Sequence, residues 1–460
     1  MTDGGAAIPS RIFREYDVRG VVDEDLTEGA VHAIARGLGT MIRGTGGSRA
    51  VVGRDCRLSG ERLGRAAVAG LEAAGVDVID LGVVPTPLTY FAAHTIGVDG
   101  LCMVTGSHNP PAYNGMKVGV GKTPLHGEGI QELRRVVQSG RFASGKGGAA
   151  RHDIVTPYRD AVRRNLRLGA RKLKVVLDAG NGTGGVVAVP LFESLGVEVV
   201  PLFTEMDGRF PNHHPDPTVE ENLQALTSKV REVGADVGIA YDGDADRVGA
   251  VDDAGNVLWG DRLLILFARA LLDENPGAAV VGEVKCSMTL FDEIARRGGR
   301  PILWRAGHSL VRAKMREEGA LLAGEMSGHI FFAHRWYGFD DAIYASGRLL
   351  ELLSSADAPL SALLADVPRT YASPEIRVDC PEDAKFEVVR RAQEWFSARY
   401  ETVTVDGVRV TFPDGWGLVR ASNTQPLLVL RFEATSERRL REIEALVRGK
   451  VEELEREVGA

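Results

Sequence analysis

One pattern recurs three times along this 460-residue chain and restricts the folds open to it. An apolar, β-branched strand ends in glycine and polar residues, a helical stretch follows, and glycine-containing residues lead into a second strand. The copies are RAVVGRDCRLSGERLGRAAVAGLEAAGVDVIDLG from Arg49, LKVVLDAGNGTGGVVAVPLFESLGVEVVPLF from Leu173, and AAVVGEVKCSMTLFDEIARRGGRPILW from Ala278. Strands such as VVG and KVVL are nearly all apolar, as strands covered on both faces must be. Strand–helix–strand alternation implies parallel pairing with helices on both sides. Three such units predict three related α/β domains with mixed, mainly parallel sheets.

Composition shifts suggest the joints. SGRFASGKGGAARHD, near residue 145, is rich in Gly, Ser and Lys; DDAGN at 252–256 is a turn; DVPRTYASPEI lies near residue 370. The expected domains are therefore 1–150, 151–255, 256–368 and 369–460. The last differs from the others. EIRVDC, TVTVDGVRVTF and LLVLRFEA alternate as strands do, and helices flank them (KFEVVRRAQEWFSARY and RRLREIEALVRGKVEELEREV). This predicts a smaller C-terminal α+β domain with an antiparallel sheet.

A content of 44% hydrophobic and 26% charged residues suits an ordinary globular protein with large cores. The formal net charge of -8 argues against a general nucleic-acid binder. Any anion site must then be a local cluster of Lys and Arg. Cys56, Cys102, Cys286 and Cys380 are far apart and form no C-x-x-C pair, so neither a zinc site nor a disulfide framework is expected. The start, MTDGGAAIPSR, does not read as a secretory signal, and apolar runs such as LLILFARALL are too short and too charged to span a bilayer. The expectation is a cytoplasmic protein with no membrane or nucleic-acid partner.

Four segments carry chemistry. TGSHNP, Thr105–Pro110, follows the apolar strand GLCMVT and offers Ser107 as a nucleophile or phosphate carrier. It is not the G-x-S-x-G hydrolase elbow; taken alone it also reads as an ordinary turn. YDGDADR, Tyr241–Arg247, spaces Asp242, Asp244 and Asp246 alternately. In an extended segment, three such carboxylates face one way and need a cation between them, with Mg²⁺ favoured by hard oxygen ligands. An EF-hand is excluded because Arg247 stands where the loop needs Gly. RASNTQP, Arg420–Pro426, offers a guanidinium fork and the donors of Ser422, Asn423 and Thr424, suited to phosphate. GEMSGH, Gly324–His329, places Glu325 and Ser327 two apart, facing one pocket if extended, and His329 is a group able to move protons near neutral pH.

Two further motifs compete. Gly121-Lys122-Thr123 ends like a P-loop, but Met116 occupies the required glycine position. GNGTGG, Gly180–Gly185, does fit G-x-G-x-x-G after a strand, with Glu205 downstream. A dinucleotide-dependent oxidoreductase is therefore a rival reading, although it leaves Ser107 and the aspartate cluster unexplained.

Ten segments in one order resemble the α-D-phosphohexomutase superfamily, most closely the bacterial phosphomannomutase/phosphoglucomutase group: FREYDVRG, TGSHNP, NGMKV, DAGNGTGG, PNHHPDPTVEENL, YDGDADR, GEVKCS, AGHSL, GEMSGH and RASNTQP. The resemblance runs nearly end to end and implies four domains around a central cleft. It implies that Ser107 is phosphorylated in the active enzyme, and that Asp242, Asp244 and Asp246 hold Mg²⁺ together with a phosphoserine oxygen. It assigns sugar contacts to Glu325 and Ser327, and the non-transferred phosphate to Arg420, Ser422, Asn423 and Thr424. Tyr16, Arg19, Lys117, Arg247, Lys285, His308 and His329 match positions lining the family's cleft. Of these, Arg19, Lys117, Arg247 and His329 belong with the catalytic group, and Tyr16, Lys285 and His308 with the sugar. Ala245 departs from the Gly often found in the metal loop.

The implied reaction is reversible transfer of a phosphoryl group between C1 and C6 of a mannose or glucose phosphate. A hexose 1,6-bisphosphate is the intermediate and activator, the partner is a small phosphosugar, and the protein is a monomer or weak dimer. Phosphoglucosamine mutase is the nearest rival, a group that usually has Ala at the Gly106 position and Gln at the Met326 position. A non-catalytic phosphosugar-binding protein is a third reading, and it would tolerate loss of Ser107.

Overall fold

The computed structural model describes residues 8–422 and 426–459. They form two compact units. One contains the described residues up to Leu263 together with Ser327–Leu363; the other contains Leu264–Met326 together with the described residues from Leu364 onward.

In the first unit, two mixed sheets are built on apolar strands. Arg49–Arg54 lies between Gly100–Val104 and Asp77–Val83, and Ala149–Arg151 extends that side, all in parallel. Tyr113–Val120 then runs antiparallel to Gly100–Val104, and Val18–Val21 antiparallel to Tyr113–Val120. Every residue of Gly100–Val104 is buried. The helices Glu28–Gly44 and Gly60–Ala73 cover the sheet because their apolar residues recur at helical spacing. Ile34, Leu38, Ile42, Leu63 and Leu71 join Val52, Val78 and Cys102 in one core. Thr27 starts the first helix, its Oγ1 accepting the Ala30 N–H at 3.1 Å.

The second sheet sets Lys174–Asp178 between Val237–Tyr241 and Glu198–Leu202 in parallel. Val248–Asp252 joins Val237–Tyr241 antiparallel, and Val257–Leu258 joins Val248–Asp252 as a hairpin. Asp252 Oδ1 closes that hairpin turn by accepting the N–H groups of Ala254 and Asn256. The same unit holds strand Ile330–Phe332 and the buried helix Ala342–Ser355, capped by Asp341.

In the second unit, Ala279–Glu283 pairs in parallel with both Arg300–Trp304 and Leu322–Gly324. The C-terminal part is antiparallel: Leu427–Ala434, Gly415–Ala421, Val408–Phe412 and Glu401–Val403 lie side by side, with Ile376–Asp379 on the far side of Leu427–Ala434. Helices Lys385–Ser397 and Glu437–Val458 cover it, packing Val388, Phe396, Ile443 and Val447 against Val410, Leu430 and Phe432. Parallel α/β layers followed by an antiparallel α+β part match the expected fold class. Among the described residues, Cys56, Cys102, Cys286 and Cys380 are free thiols. Among the described residues, no helix is long and apolar enough to cross a membrane.

Candidate active site

Ser107 leaves the end of the buried strand Gly100–Val104 in a left-handed conformation, φ 47°, uncommon for a residue with a side chain. Side chains upstream hold it there. Thr105 Oγ1 and the Gly106 N–H donate to Asp55 Oδ2 at 2.7 and 3.0 Å, and the Ser107 N–H donates to Thr105 Oγ1 at 2.8 Å. The Arg57 guanidinium donates to the carbonyls of Ser107, Pro110 and Tyr113 at 2.8, 2.6 and 3.0 Å. Ser107 Oγ donates to Asp242 Oδ2 at 2.7 Å and lies 3.1 Å from His108 Nδ1. Burial, then Arg247 and Arg19, keep His108 well below the usual histidine range, so its ring is neutral.

Asp242, Asp244 and Asp246 are wholly shielded from solvent. They converge, but not by alternation along an extended strand. Residues 242–247 form a turn after strand Val237–Tyr241, with Ala245 left-handed at φ 57°. Asp242 Oδ1 braces that turn by accepting the N–H groups of Asp246 and Arg247 at 3.1 and 3.2 Å. Gly243 lets the turn touch the serine loop, since a Cβ there would sit 2.6 Å from the Ser107 carbonyl oxygen. Thr86 Oγ1 donates to Asp244 Oδ2 at 2.5 Å, and Lys117 Nζ donates to Asp244 Oδ2 at 2.8 Å and to Asp246 Oδ2.

The charges of this cluster act on one another at close range. Burial alone would lower Lys117, but Asp244 and Asp246 outweigh it and hold the ammonium well above the usual lysine range. Burial raises Asp242, and the charges of Asp244 and Asp246 raise it further. Burial opposes ionisation of Asp244 as well, yet Lys117 and the donated hydrogen bonds keep it below the carboxylate range. One oxygen of each aspartate lies within 4.8 Å of the others. Asp244 Oδ1 and Asp246 Oδ1 are buried and accept no hydrogen bond. Three buried carboxylates gathered this closely, two of them with an oxygen that accepts no hydrogen bond, are a donor set suited to a divalent cation, so a metal ion fits here.

Arg247 Nε donates to His329 Nε2 at 3.0 Å, which fixes that nitrogen as the acceptor. His329 Nδ1 lies 3.1 Å from Asp340 Oδ2 and 3.7 Å from Asp246 Oδ1. Arg19 donates to Asn109 Oδ1 at 2.7 Å, to the Gly106 carbonyl and to Asp17, so it too closes on the serine loop. Tyr16 is half-buried in the turn before Val18–Val21. Ser327 is half-buried within the turn 325–328. The first unit thus brings together Ser107, Arg19, Lys117, the three aspartates, Arg247 and His329.

The Gly180–Gly185 loop backs this cluster. The N–H groups of Gly180, Asn181, Gly182 and Thr183 donate to Asp178 Oδ1, Phe203 O, Ala179 O and Gly243 O. A dinucleotide site needs such N–H groups aimed at a pyrophosphate. Here they serve the protein's own loops, which removes the basis of the oxidoreductase reading.

In the second unit, Glu325 is buried and its Oε1 accepts the Gly307 N–H at 2.7 Å. It too begins a turn rather than an extended segment. His308 opens helix His308–Glu317. Lys285 Nζ lies 3.2 Å from Glu375 Oε2. Arg420 Nε donates to Asp406 Oδ2 at 3.0 Å, and the Ser422 carbonyl accepts from the buried Lys385 Nζ at 2.8 Å. Asn423 and Thr424 lie outside the described residues. Asp55, Arg57, Thr86, Asp340, Lys385 and Asp406 support these groups, and sequence reading missed them all. A charged RDCR run at the end of an apolar strand was the one visible signal.

Four family models match in succession, described as phosphoglucomutase/phosphomannomutase alpha/beta/alpha domain I at residues 10–144, domain II at 156–255, domain III at 259–371 and C-terminal domain at 375–450. The phosphomannomutase/phosphoglucomutase of Pseudomonas aeruginosa is 46% identical over 447 residues, covering 96% of each chain. The phosphoglucomutase of Neisseria gonorrhoeae is 45% identical over 445 residues, covering 95% of this chain and 96% of that protein. A crystal structure of a phosphoglucomutase/phosphomannomutase family protein from Burkholderia thailandensis superposes with a TM-score of 0.92 at 44% identity, covering 97% of this chain and 98% of that one. With four consecutive models and near-complete coverage by such relatives, the chain belongs to the phosphoglucomutase/phosphomannomutase family.

Proposed function

We propose that this protein reversibly moves a phosphoryl group between C1 and C6 of a mannose or glucose phosphate, with Ser107 as the phosphate carrier. The observation that carries the reading is the 2.7 Å bond from Ser107 Oγ to Asp242 Oδ2, at the edge of a buried group of three carboxylates and one ammonium. A hydroxyl set so close to this cluster supports a role in phosphoryl transfer over one in surface solvation.

In the first half-reaction the free sugar hydroxyl attacks the phosphorus carried on Ser107. The bond from phosphorus to Oγ breaks, a bond to the sugar oxygen forms, and the hydroxyl proton ends on Ser107 Oγ. The product is a hexose 1,6-bisphosphate, which turns end for end; in the second half Ser107 Oγ attacks its other phosphorus, the bond from that phosphorus to the sugar oxygen breaks, and the Oγ proton ends on the sugar oxygen. Arg247 offsets the charge of the transferring group. Lys117 and Arg19 serve the reacting oxygen, and His329 moves its proton. Asp242, Asp244, Asp246 and a Ser107 phosphate oxygen would hold Mg²⁺, which supplies charge neutralisation when bound. Glu325, Ser327, His308, Lys285 and Tyr16 bind the sugar. Arg420, Ser422, Asn423 and Thr424 bind the phosphate that stays. The four domains are taken as 1–150, 151–255, 256–368 and 369–460. The protein is read as a cytoplasmic monomer or weak dimer.

A coupled mutase assay on glucose 1-phosphate, mannose 1-phosphate and glucosamine 1-phosphate tests the reading, with Ser107→Ala alongside. Turnover of the first two, abolished in the variant, is expected. Preference for the glucosamine phosphate would move the protein to the neighbouring activity, and full activity in Ser107→Ala would remove the mechanism.

A further inference from the structure

Asp406 lies in the turn between strands Glu401–Val403 and Val408–Phe412, outside every motif of the site. A single oxygen, Oδ2, accepts two hydrogen bonds: from Arg420 Nε at 3.0 Å and from the Ala306 N–H at 3.0 Å. The next N–H along, that of Gly307, donates to Glu325 Oε1 at 2.7 Å. The side chains of Asp406 and Arg420 are each only 10% exposed, so water competes weakly for this contact. The turn itself is tied down, since Gln393 Nε2 donates to the Gly407 carbonyl at 2.8 Å. Arg420 sits in the buried strand Gly415–Ala421, paired across to Val429.

A guanidinium on a long side chain has many rotamers, and phosphate recognition requires one of them. A carboxylate on Nε selects a rotamer by engaging one edge of the planar group. Because the same oxygen holds the Ala306 backbone, it also fixes how far Arg420 stands from the segment that seats Glu325. We infer that Asp406 is a positioning residue: it orients Arg420 and sets the spacing between the phosphate-binding arginine and the sugar-binding carboxylate. This rests on the roles proposed above for Arg420 and Glu325. It gives the Asp-Gly turn a function in substrate recognition beyond closing a hairpin.

The test is a double-mutant cycle on the full-length protein, reading glucose 6-phosphate binding by titration calorimetry for the parent, Asp406→Ala, Arg420→Ala and the double variant. Asp406→Ala is expected to weaken binding about tenfold, the scale of one charge-assisted hydrogen bond. The double variant is expected to bind no worse than Arg420→Ala, because Asp406 acts through Arg420. Asp406→Asn keeps an acceptor and is expected to fall between the parent and Asp406→Ala; it carries the test should the alanine variant unfold. A fully additive cycle, or parent-like binding in both Asp406 variants while Arg420→Ala loses affinity, overturns the inference and leaves the phosphate role of Arg420 standing. Parent-like binding in Arg420→Ala removes that role, and the inference with it.

Discussion

Ser107 Oγ and Asp242 Oδ2 are 2.7 Å apart although 135 positions separate them in the chain. The contact joins the ends of two buried strands from different sheets, Gly100–Val104 and Val237–Tyr241. Hydroxyl and carboxylate are thus held at the ends of buried strands.

Ser107→Ala removes one oxygen and little volume from this junction. The variant is expected to fold normally and to lose mutase activity by roughly a thousandfold or more, as for other essential nucleophiles. Intact mass spectrometry adds a second check: one phosphoryl group on the parent, absent from the variant. A phosphorylated Ser107→Ala protein would mean that another residue is the carrier.

Gly106→Ala tests how tightly the serine loop is held. A Cβ at position 106 would lie 2.3 Å from Arg57 Nε and 2.4 Å from its Cζ. Arg57 has no freedom to yield, because its terminal nitrogens are spent on the carbonyls of Ser107, Pro110 and Tyr113. The expected cost is about 1–3 kcal/mol in a urea melt, typical of overpacking, with reduced turnover. The same crowding sets this loop apart from the phosphoglucosamine mutase pattern, where Ala is usual; a neutral Gly106→Ala would reopen that alternative.

His213 and Asp178 give a pH signature. His213 Nε2 lies 3.0 Å from Oδ2 of Asp178, a fully buried carboxylate. Burial lowers the imidazole pKa, but the hydrogen bond and charge of Asp178 outweigh it, and the folded value stands above the ordinary histidine value of 6.5. Such a group stabilises fully below its unfolded pKa, and the benefit is lost as pH rises through the folded pKa. The stability gap between the parent and His213→Asn should therefore be wider near about pH 5.5 than near about pH 8.5. An NMR titration of the His213 ring gives the shift directly; an equal gap at both pH values would show that the pair does not titrate in this range.

The repeated strand–helix–strand units were legible because apolar runs and helical spacing are local properties. The aspartates were legible as a cation site for a sound reason, the cost of packing like charges, but their geometry was not. A turn with Ala245 left-handed, rather than alternation, brings them together. Of the groups that hold this site, Lys117 was legible through the resemblance, but the long-range pairings were not. Thr86 meets Asp244 across 158 positions, and Asp55 meets Thr105 across 50. Such pairs arise only once strands are ordered in a sheet, so no spacing rule reveals them. The Gly180–Gly185 motif shows the converse: a legible glycine pattern whose N–H groups the fold had already engaged.

Lys117 offers the sharpest test of the metal reading. Its Nζ bridges Asp244 and Asp246 and is the cation now facing them. Lys117→Met leaves two buried carboxylates without that partner, and breaking a buried pair costs about 3–5 kcal/mol. A divalent cation held by the same aspartates restores the missing charge. In chelator the variant should therefore melt well below the parent, and added Mg²⁺ should close most of the gap, because a ligand that binds the folded state alone stabilises it. Activity should stay low even then, since the ammonium near the reacting oxygen is gone. Calorimetry with and without chelator separates the outcomes: if Mg²⁺ shifts neither protein, the three aspartates hold no cation and the metal-assisted chemistry must be abandoned.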